Sequence, residues 1–431
     1  MAKNNKMPAI RFSGYTDAWE QRKLGDFYTF KNGLNKEKVY FGYGDSIVNF
    51  TDVFHNRQIY SSTLKGKVFV NKKELENFRV KEGDLFFTRT SETIDEIGFP
   101  AVVMEPMERV VFSGFVLRGR AEKNDPLVNI FKSYIFFTDN FRSEMKKKSS
   151  MTTRALTSGT ALKEMYFSYP KDLEEQTKIG EILLRLDNII TLHQRKLEKL
   201  KLAKKALLQK LFPKNGSKFP ELRFKGFADA WEQCKLGEIF EYLQNNTLSR
   251  DSLNYKNPNI KNIHYGDILV KFDEILDGSN QEIPYINSEL DLSKFSKSLL
   301  RDGDIIFSDT AEDDTVGKAI ELQNVNAPFI LGGLHTIPCR PLIPFGKGYL
   351  GNFLNSDSYR LQLRPLIQGI KVSSISKSAL KDTLIEYPKN LDEQEKIGSL
   401  FYYIAKMITL HQCKLDKLQD VKKGLLQKMF V

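Results

Sequence analysis

Apolar residues recur at alternating steps of three and four between Tyr169 and Phe212, a spacing that keeps one side of a long helix facing a partner helix. Charged residues occupy the other positions of this stretch. The pattern predicts a coiled-coil helix of roughly 38 residues, about 57 Å long at about 1.5 Å per residue. Its seam contains Ile179, Leu183, Leu186, Ile190, Leu197, Leu200, Leu207 and Leu211, with His193 and Lys204 at two polar positions.

The same pattern returns 218 residues later, between Tyr387 and Phe430. The two stretches are identical at 25 of 44 aligned positions, which indicates an internal duplication. The second seam contains Ile397, Phe401, Ile404, Ile408, Leu415, Leu418, Leu425 and Met429, with His411 and Lys422 at the polar positions. We therefore expect the two helices to pack against each other as an antiparallel coiled coil.

The duplication extends over whole half-chains. The phrase AWEQRKLG around Trp19 returns as AWEQCKLG around Trp231, where each tryptophan is expected to anchor the start of a domain. Between phrase and helix lie two diverged regions, 27–165 and 239–383, with short β-rich runs and helical segments at 129–147 and 346–368. The order of parts is therefore diverged region, helix, diverged region, helix.

One motif survives in both diverged regions. The sequence EGDLFFTRT at residues 82–90 corresponds to DGDIIFSDT at residues 302–310. Both predict a Gly-Asp turn, a buried strand and then a hydroxyl-rich loop. The loop residues differ where the scaffold does not, which is the pattern expected of a domain that recognises variable targets.

Composition narrows the class of protein. With 431 residues, of which 41% are hydrophobic, the chain can build two or three domain cores. A formal net charge of +11 favours a polyanionic partner. Three widely spaced cysteines, Cys234, Cys339 and Cys413, exclude a disulfide framework and a four-cysteine zinc site. No run approaches the length of a membrane span, and the polar start lacks a signal-peptide core, so a cytoplasmic protein is expected.

Catalytic signatures are missing from the sequence. There is no phosphate-binding GxxxxGK[ST], no HExxH and no CxxC. Asp172, Glu174, Glu175 and Lys178 resemble a nuclease cluster, but acidic residues at the start of a long helix favour its positive end. The acidic run 312–314 could hold a metal ion, although a solvated loop is the simpler interpretation. We expect no catalytic residues and no metal site on this chain.

The repeat, the two diverged regions and the phrases AWEQRKLG, YPKDLEEQTKIG and LLQKLF together resemble the specificity (S) subunit of type I restriction-modification enzymes. The resemblance covers the whole chain. It implies an α+β fold in which two tandem α/β target-recognition domains are separated by two long helices, packed as an antiparallel coiled coil, in a pseudo-two-fold repeat. The expected parts are a first recognition domain at 1–168, a central helix at 169–212, a linker and second recognition domain at 213–386, and a distal helix at 387–431.

The resemblance also implies a function and partners. Each recognition domain would read one half of a bipartite double-stranded DNA site, and the helices would set the distance between the halves. Two methyltransferase (M) subunits and two restriction (R) subunits would join the chain. No cofactor is expected on this chain, because S-adenosylmethionine, ATP and Mg would be bound by the partner subunits.

Candidate DNA-binding residues follow from the loops and the basic clusters. Loop residues that could read base edges are Thr88, Arg89, Thr90, Ser308, Asp309 and Thr310. Basic residues that could contact phosphates are Lys146, Lys147, Lys148, Arg154 and Lys371. Two alternatives stay open: a coiled-coil scaffold protein without DNA readout, and a self-contained nuclease or methyltransferase.

Overall fold

The computed structural model describes residues 7–214, 216–256, 260–287, 292–326, 329–369 and 371–431. The chain divides into two compact units: the first contains residues up to 193 together with 414–431, and the second contains 194–413. Both units mix short strands and short helices, and two helices of 38 residues each pass through both units. Among the described residues, no helix has the length and apolarity that a membrane span requires.

The first unit contains thirteen of the described strands. They are β1 Glu20–Lys23, β2 Tyr28–Asn32, β3 Phe41–Val48, β4 Gln58–Ile59, β5 Lys67–Val68, β6 Leu85–Thr88, β7 Thr90–Ser91, β8 Pro100–Val103, β9 Val110–Phe112, β10 Val116–Ala121, β11 Ser150–Met151, β12 Ala155–Leu156 and β13 Tyr166–Tyr169. Its helices are α1 Phe50–Val53, α2 Lys72–Phe78, α3 Asn129–Ile135, α4 Asp139–Lys148 and α5 Gly159–Lys163, and the long α6 Leu173–Lys210 begins here. Single 3₁₀ turns lie at Leu24–Asp26, Lys38–Tyr40, Ser61–Thr63 and Ile94–Glu96.

The second unit repeats this composition. Its strands are β14 Glu232–Lys235, β15 Phe240–Tyr242, β16 Leu253–Asn254, β17 Lys261–Ile263, β18 Ile275–Asp277, β19 Tyr285–Ile286, β20 Ile305–Ser308, β21 Thr310–Ala311, β22 Ala319–Gln323, β23 Ile330–Gly332, β24 Thr336–Pro341, β25 Ser373–Ser374 and β26 Leu384–Tyr387. Its helices are α7 Leu236–Ile239, α8 Tyr265–Val270, α9 Tyr349–Phe353, α10 Asp357–Leu363 and α11 Lys377–Lys381, and the long α12 Leu391–Lys428 begins here. The 3₁₀ segments are Arg250–Ser252, Leu292–Phe295 and Arg364–Leu366.

A five-stranded sheet with one topology forms the centre of each unit. The strand order is β2-β10-β6-β8-β4 in the first unit and β15-β24-β20-β22-β18 in the second. All neighbours are antiparallel except the last pair, β4 with β8 and β18 with β22, which is parallel. The expected α+β fold with an internal repeat is therefore confirmed at the level of strand order.

A second sheet accompanies each central sheet. In the first unit its order is β5-β3-β9, and in the second it is β16-β19-β17-β23. The strands β3 and β9 are parallel, as are β17 and β23. Strand β9 leads through the turn at Ser113 and Gly114 into β10, so the two sheets of the first unit meet at that turn.

A buried ion pair explains why the Gly-Asp turn occurs in both halves. Asp84 accepts bonds from Arg120 Nε and Nη2, both at 2.6 Å, and Asp304 accepts bonds from Arg340 Nε at 2.9 Å and Nη2 at 2.7 Å. Each carboxylate also closes its turn by accepting the N–H three residues earlier. Burial raises the pKa of Asp304, and the bond from Arg340 opposes that shift. The pair ties the turn before the middle strand to the neighbouring strand.

The two tryptophans are buried anchors, as predicted. Trp19 packs with its ring edge against Phe131 and Phe430, at centroid distances of 6.0 and 6.1 Å. Trp231 packs in the same way against Phe212 and Tyr349, at 6.3 and 6.0 Å. The last residue of each LLQK(L/M)F phrase therefore belongs to an aromatic core.

The long helices are confirmed, and they pack together in the antiparallel sense within each unit. In the first unit the core that contains Ile179 and Leu183 also contains Met429 and Phe430, whereas Asp187, further along α6, bonds Lys422, earlier in α12. The fourteen seam candidates from Ile179 to Leu200 and from Ile397 to Leu418 are all buried or half-buried. The fully buried ones are Ile179, Leu183, Ile190, Leu197, Ile397, Phe401, His411 and Leu415.

The two seam lysines pair with carboxylates on different elements. Lys422 bonds Asp187, which lies on α6, whereas Lys204 bonds both oxygens of Glu274 at 2.7 and 2.9 Å, just before β18. Arg57 occupies the position of Glu274 in the first unit, directly before the equivalent strand β4. The equivalent lysine is thus paired with a carboxylate in each unit, on the other long helix in the first unit and directly before an edge strand in the second.

Both helical segments predicted in the diverged regions are interrupted. The segment 129–147 is two helices, α3 and α4, and the segment 346–368 is α9, α10 and a 3₁₀ turn. Ser356 shows the cause in the second unit, because its hydroxyl donates to Phe353 O at 2.6 Å and accepts the N–H of Tyr359. Because the Ser356 side chain ends α9 and caps α10, the predicted segment forms two helices and not one.

Gly398 provides a test of how closely the helix approaches the rest of the second unit. A Cβ atom there would lie 2.0 Å from Lys347 O, whereas a Cβ atom at Gly424, on the same helix, would meet nothing within 4 Å. We expect Gly398→Ala to lower the free energy of unfolding by about 2–3 kcal/mol, because backbone must move.

The matched variant Gly424→Ala should raise the free energy of unfolding by about 0.5–1 kcal/mol, since alanine is the better helix former. Urea denaturation followed by circular dichroism measures both changes. Equal stability of Gly398→Ala and the unmodified chain would contradict the close approach.

Candidate nucleic-acid interface

The middle strand of each central sheet pairs with a strand on either side and ends in a loop. All four residues of β6 and of β20 are buried, and each strand pairs with a neighbour on either side. One residue then separates β6 from β7 and β20 from β21. We call residues 88–91 the first readout loop and residues 308–311 the second readout loop.

The first hydroxyl of each readout loop lies inside the protein. Thr88 is fully buried and its Oγ1 accepts the N–H of Phe99 at 2.8 Å. Ser308 is also fully buried and its hydroxyl donates to Thr310 O at 2.8 Å. Both side chains are used in hydrogen bonds that stabilise the loop, and neither reaches the surface where a base could bind.

The next residue of each loop has the same backbone partners in both units. Arg89 N donates to Phe115 O at 3.1 Å, and Arg89 O accepts from Thr157 N at 3.0 Å. Asp309 N donates to His335 O at 3.1 Å, and Asp309 O accepts from Ile375 N at 2.8 Å. A shared backbone frame therefore presents an arginine in one unit and an aspartate in the other.

The side chains of the second readout loop form a small polar cluster. Thr310 Oγ1 donates to Asp309 Oδ1 at 2.7 Å, and His335 Nδ1 lies 3.2 Å from the same oxygen. In the first readout loop, Arg89 Nη1 donates to Gly114 O at a long 3.4 Å. Arg89, Thr90, Asp309 and Thr310 are half-buried, so part of each remains accessible.

Comparison with known proteins agrees with this duplicated arrangement. The sequence profile of the family described as "Type I restriction modification DNA specificity domain" matches residues 16–202. The MjaX specificity subunit of a type I restriction enzyme from Methanocaldococcus jannaschii is 23% identical over 436 residues, which cover 95% of this chain and 92% of that protein. Residues 16–202 therefore carry the domain of this family, and the chain as a whole is similar to type I specificity subunits.

Two further similarities extend the comparison. The MjaVIII specificity subunit of the same organism is 24% identical over 268 residues, which cover 59% of each chain. The crystal structure of the S subunit of a type I restriction-modification system from M. genitalium superposes with a TM-score of 0.57 at 13% identity, over 99% of both chains. That structure supports the fold of the specificity-subunit family for this chain.

Two basic candidates lie beside the readout loops. Arg154 directly precedes β12, which pairs with β7, and it forms an exposed ion pair with Glu92 at 2.9 Å. Lys371 is exposed and lies two residues before β25, which pairs with β21. Each unit therefore has one of these basic candidates on the strand connection next to its readout loop.

The lysine cluster ends helix α4. Lys146 bonds Asp95 at 2.5 Å and thereby lowers the pKa of that carboxyl, Lys148 lies 3.9 Å from Glu144, and Lys147 is exposed. Arg142 on the same helix donates to Gly98 O at 2.7 Å and to Asp95 O at 3.0 Å. Burial lowers the pKa of Arg142 to about 10, so it stays charged at neutral pH.

Sequence reasoning missed Phe115 and His335, which touch the readout loops through their backbone oxygens. Phe115 is 63% exposed, and the His335 side chain is 46% exposed with a positive φ of 56°. The two residues occupy the same place, directly before β10 and β24. An alignment of the halves on Arg120 and Arg340 would have identified them.

The candidate catalytic clusters have structural partners. Asp172 Oδ1 accepts the N–H groups of Glu174 and Glu175 at 2.8 and 3.0 Å, and Glu175 pairs with Arg11 at 2.7 Å. Glu174 pairs with Lys178 and raises its pKa. In the acidic run 312–314, Asp313 accepts bonds from the backbone and hydroxyl of Thr315. Within the described ranges, no group of three or more His, Cys, Asp or Glu could hold a metal ion.

The supporting role of the buried hydroxyls can be tested with Thr88→Val. The change keeps the shape but leaves the N–H of Phe99 without its acceptor, so we expect the free energy of unfolding to fall by about 1–3 kcal/mol. Chemical denaturation measures this loss. The set of DNA sequences bound should stay the same, and an altered sequence preference at unchanged stability would assign Thr88 a direct contact.

Proposed function

We propose that this chain determines the DNA sequence acted on by a type I restriction-modification complex, with each unit reading one half of a bipartite target. The observation that supports this proposal is the shared backbone frame of the two readout loops. It holds Arg89 in the first unit and Asp309 in the second with equivalent hydrogen bonds. Because the frame is the same and the side chains differ, the two half-sites have different sequences.

The side chains of the two loops predict which bases each half-site contains. An arginine can donate two hydrogen bonds to the O6 and N7 of guanine, whereas an aspartate accepts from the N4 amino group of cytosine. Arg89 and Thr90 accordingly favour guanine-containing contacts in the first unit. Asp309 and Thr310, with His335 beside them, favour a base that offers an amino group in the major groove.

Basic residues would position the duplex against these loops. The candidates for phosphate contacts are Lys146, Lys147, Lys148, Arg154 and Lys371. Such contacts fix register without reading sequence, and each releases counterions, so binding weakens as salt increases. The formal net charge of +11 supports this attraction to DNA.

The complex would assemble from this chain, two methyltransferase subunits and two restriction subunits, in the cytoplasm. The chain itself would be non-catalytic, and S-adenosylmethionine, ATP and Mg would be bound by the partners. Exposed apolar side chains on the long helices, Ile189 and Leu192 on α6 and Tyr402 and Tyr403 on α12, suit protein contacts.

Methylation mapping tests the proposal directly. Genomic DNA is sequenced for methylated bases from cells that express this chain with its cognate methyltransferase subunit. We expect a split motif with a fixed gap, present only when both chains are expressed. If the methyltransferase is active with another specificity chain and produces no new mark with this one, the proposal is overturned.

The variant Arg89→Ala assigns one half of that motif to the first unit. Loss of two hydrogen bonds to a guanine should cost about 1–3 kcal/mol of discrimination, so the preferred base at one position of one half-site should be relaxed. Competition binding with single-base variants of the site measures the change. Arg22→Ala, an exposed arginine on β1, is the matched control and should leave both halves intact.

The variant Asp309→Asn makes the reciprocal assignment. An amide presents a donor beside its acceptor, so the base preference in the other half-site should change while the half read by Arg89 stays the same. Asp382→Asn, at an exposed carboxylate paired with Lys235, controls for the lost charge. A change in the same half for Arg89→Ala and Asp309→Asn would contradict one reader per unit.

A further inference from the structure

Three stacked aromatic rings lie on the surface of the first unit beside β3. Tyr40 and Tyr43 each stack on Phe69, with centroid distances of 6.5 and 5.9 Å and ring planes within 23° and 28° of parallel. The three residues are 37%, 52% and 46% exposed. We call Tyr40, Tyr43 and Phe69 the aromatic strip.

The backbone of β3 is distorted to present the strip. Phe41 and Asp45 both pair with Val68, so Gly42, Tyr43 and Gly44 are looped out of the strand. Both glycines have positive φ, 100° and 89°, and a Cβ atom at Gly44 would lie 2.8 Å from Val68 O. Glycines inside a strand lower its stability, and an exposed ring forgoes the stabilisation of burial. Bulges of this kind re-aim a side chain and are common beside functional sites.

Lys36 holds the strip in place. Its Nζ donates to Phe69 O at 2.7 Å and to Glu74 at 2.7 Å, and it lies 4.7 Å from the ring centroid of Tyr40 and 5.5 Å from that of Phe69. Cation–π contact and two hydrogen bonds therefore fix the rings on one side. The exposed parts of the three rings remain accessible to a ligand.

The strip adjoins the first readout loop through a short connection. Leu34 O accepts the N–H of Gly114, and a Cβ atom at Gly114 would lie 2.0 Å from Asn35 Oδ1. Gly114 O in turn accepts the bond from Arg89, and Phe115 O accepts the N–H of Arg89. These contacts connect the first readout loop, through the turn at Gly114, with Leu34 and Asn35. Lys36 and the aromatic strip follow directly in sequence.

The charge around the strip identifies what can bind there. The aromatic strip lies on residues 36–45 and 65–76, where exposed lysines outnumber exposed acidic residues. The exposed lysines are Lys38, Lys65, Lys67, Lys72 and Lys73, and the exposed acidic residues are Glu37 and Glu76. Asp45 and Glu74 are paired with Arg109 and Lys36. Flat rings within a positive surface suit nucleic acid, whose bases stack on aromatic side chains and whose phosphates attract lysine.

We propose that the aromatic strip is a stacking surface for duplex DNA, which it contacts at a base step next to the sequence read by Arg89. The inference rests on the proposed DNA-reading function and extends it. Apolar side chains that press on a base step partly unstack it, and the cost depends on which bases are unstacked. The first unit would therefore sense local deformability in addition to base edges.

In the second unit, the strand that corresponds to β3 is β17. Strand β17, which pairs in parallel with β23 as β3 does with β9, consists of the three buried residues Lys261, Asn262 and Ile263. Its three residues pair with Ile330, Leu331 and Gly332 in continuous register. In this register Gly42, Tyr43 and Gly44 align with residues 257–259, which lie outside the described residues, so the proposal is made for the half-site read by the first unit.

The test uses the complex of this chain with its methyltransferase subunit and duplexes that contain the mapped site. 2-Aminopurine is placed at successive positions within and beside each half-site, because its fluorescence rises when it is unstacked. We expect a rise at one step next to the first half-site. Tyr43→Ala should abolish the rise and weaken binding about tenfold, and the bases read by Arg89 should stay the same.

Two variants make the test specific. Tyr43→Phe keeps the ring and should behave as the unmodified complex, whereas Tyr166→Ala removes an exposed tyrosine on β13 of the same unit and should change nothing. Unaltered fluorescence and affinity for Tyr43→Ala would overturn the inference. So would failure of Tyr43→Ala to assemble with the methyltransferase in the absence of DNA, since the strip would then be a protein interface.

The failure of the proposed function gives a different result. If the unmodified complex binds the mapped duplex no better than a scrambled one, the chain does not read DNA and the inference fails with it. Selective binding by the unmodified complex together with an unaffected Tyr43→Ala overturns the aromatic strip alone.

Discussion

The structure depends on the burial of aromatic residues at the ends of the two long helices. In the first unit Phe430 packs against Trp19 and Phe131, and in the second unit Phe212 packs against Trp231, Tyr349 and Phe401. Neither core is complete with residues from one half of the sequence alone. Each core therefore contains the last turn of a helix that began in the other unit, so the apolar surface buried in each unit comes from both halves of the duplication.

The backbone frame that the two units share is supported by residues other than those proposed to contact DNA. Asp84 with Arg120, and Asp304 with Arg340, hold the turn before the middle strand, and removing one partner of such a buried pair costs about 3–5 kcal/mol. Buried hydroxyls then hold the start of each loop. The residue that follows has the same backbone hydrogen bonds in both units, whereas its side-chain contacts differ, with Gly114 O for Arg89 and with Thr310 and His335 for Asp309. The shared backbone frame therefore holds different side chains in the two units.

The predictions from sequence differ in accuracy for physical reasons. The long helices were predictable because their apolar spacing is repeated over 38 residues and in both halves. The helical segment 346–368 was predicted as continuous, yet Ser356 interrupts it with two local hydrogen bonds. Thr88 and Ser308 were grouped with Arg89 and Asp309 as loop residues, although the structure buries the former pair. Each is the last residue of a strand whose four residues are all buried, so the sequence offers no apolar–polar alternation that would mark where burial ends.

By itself, the sequence determined the duplication, the two long helices, the buried tryptophans and the turn, strand and loop shared by residues 82–90 and 302–310, because each has a repeated pattern that local physics explains. Only the tertiary structure decided that Phe115 and His335 adjoin those loops and that Tyr40, Tyr43 and Phe69 stack beside one of them. Lys204 and Lys422 also find carboxylates on different elements. These contacts join residues that are distant in sequence, so their geometry depends on how the sheets pair and no local pattern encodes it.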